Sequence, residues 1–223
     1  MFRLTGISIF LAFFASCTAS DVGDRWPDNT SLKVALTSTD VMERYAALQE
    51  YFEAHDKGET DPDDLRRLHE WIKAHSFPNE IENSSPEFAA LWIIGHCKYT
   101  DAVPILAENV MVYEPVYVSN SETSEFDRFP FARALSQMGN DAVPPLRKLI
   151  AKYPLDSVQL RIACSTLQLA VGCENARLII ADDLAAFDQA RRERVTELLK
   201  KHPRESEGHR RQKLRAGIDD ICM

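Results

Sequence analysis

The chain has 223 residues, of which 45% are hydrophobic, 27% charged and 9% aromatic. This composition is typical of one soluble globular domain or a short repeat array, and it excludes collagen and long disorder. The formal net charge of −8 argues against a nucleic-acid partner and against attraction of the whole protein to anionic lipid. Only 8 Gly and 11 Pro leave little material for the close-set turns of an all-β sandwich.

Residues 1–20 have the shape of a secretory signal peptide, with one cationic side chain, an apolar run and then small residues. The apolar run is too short to cross a bilayer as a helix. Residues 14–17, Phe-Ala-Ser-Cys, resemble the bacterial lipobox, although Phe14 stands where leucine is usual. We therefore predict export and lipid anchoring to the bacterial cell envelope through Cys17, with no other membrane contact. The alternative is ordinary cleavage and a periplasmic or secreted protein.

Helical spacing dominates the rest of the chain, which divides into a linker over 21–38 and one α-helical domain over 39–223. Asp40 and Glu43 form a capping box, and an apolar stripe with helical spacing follows at Val41, Tyr45, Leu48 and Phe52. Asp61 with Pro62, and Ser85 with Pro86, are further helix starts. Later helices are predicted at 101–113, 127–138, 141–153, 156–171, 174–187, 188–202 and 206–221.

A short motif occurs twice. Asp-Ala-Val-Pro with a following leucine stands at 101–106 and again 40 residues later at 141–146, and a small-residue helix with a glycine, Gly95 or Gly139, precedes each copy. In this motif we expect the aspartate to cap a helix, the proline to occupy its first turn and the leucine to face a neighbouring helix.

The segments 88–113 and 131–153 resemble HEAT repeats, helical hairpins of about 40 residues. The resemblance implies an all-α fold, a short right-handed α-solenoid of antiparallel helix pairs, that binds a protein or peptide without catalysis or a cofactor. The segments 40–75 and 156–187 match only in helix-pair shape. An irregular helical bundle is the alternative fold.

A polar insertion at 114–125 separates the two clear repeats, and insertions in solenoids usually emerge on one face. It is a candidate binding loop for an unknown protein or peptide. The alternative is that its flanking aromatic residues fix a long connection to the core. The candidate contact residues are Tyr113, Tyr117, Asn120, Phe126 and Phe129.

Export would permit disulfides among the four cysteines that follow Cys17, and their pairing stays open: Cys97, Cys164, Cys173 and Cys222. Cys97 and Cys164 lie within apolar helical patterns, so we expect them to be free thiols packed in the core. No CxxC pair and no Cys/His spacing of a zinc site occurs, and we predict no metal site.

No catalytic motif is complete. His69 and Glu70 begin like the zinc-protease motif HExxH, but Lys73 stands where its second histidine belongs. His96 and Cys97 are adjacent on a helix and therefore point about 100° apart. The alternative function is an enzyme or small-ligand binder whose His, Asp and Glu side chains come from separate helices, with His69, His75 and His96 as candidates.

Charge is uneven along the chain. Acidic residues outnumber basic ones over 40–70, and basic residues outnumber acidic ones over 191–215. Solvated outer faces of terminal helices explain this pattern best. A basic surface for anionic lipid or an acidic protein is the alternative.

Overall fold

The computed structural model describes residues 29–75, 77, 79–82, 85–115, 126–201 and 203. Most of these residues are helical and none lies in a β-strand, which confirms the all-α class. The described part of the chain forms ten α-helices, α1 Thr30–Thr37, α2 Val41–Asp56, α3 Pro62–Lys73, α4 Pro86–His96, α5 Val103–Glu108, α6 Pro130–Ser136, α7 Val143–Lys152, α8 Val158–Val171, α9 Cys173–Leu184 and α10 Gln189–Lys200.

The predicted helix starts in the first half are confirmed. Asp40 accepts hydrogen bonds from the amides of Met42 and Glu43 at the start of α2. Asp61 and Ser85 accept from backbone amides in the same way at the starts of α3 and α4. Each cap satisfies an amide that has no carbonyl partner inside its helix.

The prediction of a linker over 21–38 is wrong for its second half, because α1 lies there. Asn29 caps α1 through the amide of Leu32, and Leu32, Ala35 and Leu36 are buried against the following helices. The helix has only 8 residues, and threonine and serine within it weaken its sequence signal. Its stability therefore comes from packing on α2 and α4.

The two aspartates of the repeated motif do not cap helices as predicted. Asp101 and Asp141 lie in short 3-10 helices that precede α5 and α7, and neither helix has a side-chain cap. The predicted helix over 101–113 ends early, at Glu108. Beyond it the chain extends to Tyr113, whose amide donates to the carbonyl of Asn79 and whose carbonyl accepts from the amide of Ile81.

Alternate helices pack against each other. α4 contacts α2 and α6, α6 contacts α8, and α8 contacts α10, while α5 contacts α7 beside them. Gly95 lies inside α4 rather than in a turn, and a Cβ there would stand 3.1 Å from Cα of Ala134 in α6. Glycine therefore permits a close approach of these two helices. Gly139 has φ +59 and does form a turn, so the two glycines of the repeated motif have different roles.

The core contains the two cysteines expected there. Cys164 is buried, Cys97 is half-buried, and both are free thiols, which confirms the prediction for this pair. Cys173 is disulfide-bonded. Cys222 and Cys17 lie outside the described residues, as do the signal peptide and the predicted helix over 206–221.

Two basic residues of the C-terminal region, Arg191 and Arg192, cap other helices. Arg191 donates to the carbonyls of Ile150 and Tyr153 at the end of α7, and Arg192 donates to those of Leu184 and Phe187 after α9. This arrangement favours a structural role for these charges. No helix in the described part of the chain is long and apolar enough to cross a membrane.

Candidate partner-binding groove

The start of α2 departs from the predicted burial pattern. Leu48 and Phe52 of the apolar stripe are buried, but Val41 is 52% and Tyr45 48% exposed, and Met42 beside them is 77% exposed. Exposed apolar side chains that lie together commonly mark an interaction surface.

Val41, Tyr45 and Leu48 form one wall of a cleft that we call the aromatic groove. Its larger part has a volume of about 210 Å³ and is lined by Val41, Arg44, Tyr45, Leu48, Phe88, Ala89, Trp92, Glu114 and Arg133. A smaller extension of about 20 Å³ continues between α4 and α6 along Trp92, Arg133 and Gln137. Because small-molecule pockets usually measure roughly 300–1,000 Å³, the groove better fits one large apolar side chain.

Trp92 lies at the centre of the groove. The ring of Tyr45 meets it edge-on, with centroids 5.2 Å apart and an interplanar angle of 88°. Phe88, one turn earlier on α4, meets it from another side at 6.1 Å and 69°. Such edge-to-face contacts hold the rings in place while leaving part of each ring open to a ligand.

The groove also carries charged groups. The guanidinium carbon of Arg133 lies 6.0 Å from the centroid of the Trp92 ring, which is a cation–π distance. Arg44 is buried and donates to the carbonyl of Ser38. Burial lowers the pKa of Arg44 from its usual value, and its guanidinium still stays charged at neutral pH. Glu114 is the acidic residue of the lining.

The insertion begins at the edge of the groove. The amide of Glu114 donates to the carbonyl of Arg128 at 2.7 Å, which joins the two ends of the insertion. Tyr113 is half-buried and donates its hydroxyl to Glu80, and the guanidinium of Arg128 lies 5.7 Å from its ring centroid. These contacts hold the two ends of the insertion together.

Two of the other predicted contact residues, Phe126 and Phe129, are buried and not exposed at a binding surface. Phe126 and Phe129 are 1% and 7% exposed, so both pack in the core and favour the alternative in which they anchor the connection. Tyr117 and Asn120 lie outside the described residues. That a partner contacts this loop stays a prediction.

The candidate catalytic histidines have structural contacts. The ring of His96 stacks on Phe52, with centroids 4.0 Å apart, and its Nε2 lies 3.5 Å from Oδ1 of Asp56. Nδ1 of His75 lies 2.8 Å from the carbonyl oxygen of Trp71. Burial lowers the pKa of His69 and raises the pKa of the Cys97 thiol to about 12, so that thiol is protonated at neutral pH.

Within the described ranges, no three His, Cys, Asp or Glu side chains form a group that could hold a metal ion. No protein-family model, no curated protein and no solved structure matches the chain. The evidence for the site is therefore the geometry of the groove itself.

The sequence did not predict the aromatic groove, because Val41 and Tyr45 have the helical spacing of a buried stripe. The available signal was the coincidence of aromatic residues in the first turns of α2 and α4.

Proposed function

We propose that the chain is a non-catalytic interaction module that binds an apolar segment of another protein in the aromatic groove. The observation that carries the proposal is the cluster of exposed Tyr45 with half-buried Phe88 and Trp92 around a cleft that is too small for most small ligands. Aromatic residues in such clefts dominate the affinity of protein interfaces.

A HEAT-like α-solenoid is the architecture that we propose for the module. The contacts of α4 with α6, α6 with α8, and α8 with α10 are those expected when equivalent helices of successive hairpins stack. The groove crosses α2, α4 and α6, so three neighbouring hairpins would contribute to it. An irregular bundle gives no reason for each of these helices to pack against the second helix after it in the chain.

Selection of ligands from a library of random linear peptides displayed on phage tests the binding proposal with the full-length protein. We expect enrichment of peptides that contain an aromatic or large aliphatic residue. Tyr45→Ser is expected to bind the enriched peptides roughly tenfold more weakly, because a groove aromatic is lost. The matched control is Leu178→Ser, since Leu178 is 65% exposed and outside the groove. Failure to enrich any peptide, or equal losses in both variants, contradicts the proposal.

We also propose that the module is exported as a bacterial lipoprotein anchored through Cys17, on the strength of the apolar leader and the lipobox-like residues 14–17. The protein purified from bacterial envelopes should then begin at Cys17 and carry acyl chains, which mass spectrometry of its N-terminal peptide detects. An unmodified start after residue 17 would contradict the anchor and leave the groove unaffected.

A further inference from the structure

We infer that the partner segment carries a carboxylate beside its apolar side chain, and that Arg133 recognises this carboxylate. The inference rests on the proposed function of the aromatic groove and specifies its ligand. Arg133 lines both the larger cleft and its extension, so a segment that fills the groove lies beside this residue.

Arg133 and Arg128 differ from the other described arginines, because the guanidinium groups of these two have no polar partner among the described residues. The guanidinium of Arg133 makes no hydrogen bond and no ion pair within the described residues, and its contact is the ring of Trp92. By contrast, Arg147 forms a two-point pair with Asp183, and Arg194 pairs with Glu197. The guanidinium carbon of Arg128 lies 5.7 Å from the ring centroid of Tyr113, outside the lining of the groove.

A carboxylate is the ligand that this arrangement favours. The guanidinium offers a planar fork of donors that matches the two oxygens of a carboxylate. The cation–π contact with Trp92 restrains the Arg133 side chain near the groove, so less conformational freedom is lost on binding. The half-buried position lowers the local dielectric constant and strengthens the pair relative to one in open water.

The other charges of the groove agree with this assignment. Arg44 adds a second positive charge to the lining. Glu114 is the one acidic group of that lining, and it already has an interaction of its own. The lining therefore has a net positive charge, which complements an acidic segment.

The same phage-displayed library of random peptides tests the inference when it is applied in parallel to the full-length wild type, Arg133→Met and Arg128→Met. We expect wild-type selections to be enriched in Asp or Glu next to an aromatic or aliphatic residue. Arg133→Met should lose the acidic preference and keep the apolar one. Arg128→Met, which removes an arginine in cation–π contact with an aromatic ring outside the cleft, should keep both.

The contribution of the carboxylate is then measured as the difference in affinity between one enriched synthetic peptide and its Asp→Asn or Glu→Gln form. Wild type should bind the acidic form about tenfold more tightly, as expected for one charge-assisted contact, whereas Arg133→Met should bind the two forms equally. Enrichment of apolar residues with no acidic preference overturns this inference and leaves the proposed function standing. An acidic preference that depends on Arg128 instead also overturns it, and no enrichment at all overturns both proposals.

Discussion

Replacing Trp71 with alanine is expected to lower the free energy of unfolding by about 3–5 kcal/mol. Trp71 is fully buried in α3 and is the largest of the described side chains with no exposure. Its ring packs against His75, with centroids 4.3 Å apart, and Leu68 and Ile72 of the same helix are also fully buried. Truncation removes this contact area and leaves a cavity that a close-packed core fills only in part.

Urea unfolding followed by circular dichroism measures the change. For a domain of this size, the loss corresponds to a fall in Tm of roughly 10 °C. Leu178→Ala is the matched control, because Leu178 is largely exposed and surface changes usually stay within about 0.5 kcal/mol. A Trp71→Ala variant as stable as wild type would show that α3 is not part of the cooperative core.

Replacing Trp92 with alanine is expected to weaken binding of a selected peptide by about 30-fold or more, the loss of a central interface residue. Trp92 contacts Tyr45, Phe88 and the guanidinium of Arg133. Its removal therefore takes away an aromatic ring from the lining of the groove and also removes the cation–π contact of Arg133.

Two further measurements separate this effect from misfolding. Trp92→Phe retains an aromatic ring, and we expect it to bind within a few-fold of wild type while melting at a similar temperature. Thermal unfolding by circular dichroism should show that Trp92→Ala is folded at the temperature of the binding assay. Unchanged affinity in a folded Trp92→Ala variant would place the ligand elsewhere.

Local signals in the sequence predicted most of the helices because their causes are local. Asp40, Asp61 and Ser85 cap helices as expected. The repeated motif was predicted less well, since Asp101 and Asp141 lie in 3-10 turns whose backbone hydrogen bonds replace side-chain caps. α1 was missed because so short a helix depends on tertiary packing rather than on its own propensity.

The groove could not be predicted from the sequence. Helical periodicity identifies an apolar stripe, but it does not show how much of that stripe neighbouring helices bury. Val41 and Tyr45 share the helical spacing of Leu48 and Phe52, yet only the latter two are covered by neighbouring helices. Phe126 and Phe129 were expected to contact a partner, but both are buried in the core. Their position beside a polar insertion is compatible with either exposure or anchoring. Long-range packing decides both cases, and a single sequence does not encode it in a readable pattern.

Photo-cross-linking tests the central claim, that the aromatic groove is where a partner segment binds. A benzophenone amino acid is placed at position 45 in one protein and at position 178 in another, since Tyr45 and Leu178 are both well exposed. Each full-length protein is then irradiated with the selected peptide, and the products are identified by mass spectrometry. We predict cross-linked peptide from position 45 and none from position 178. Cross-linking from position 178 alone, or equally from both, would contradict the assignment of the groove.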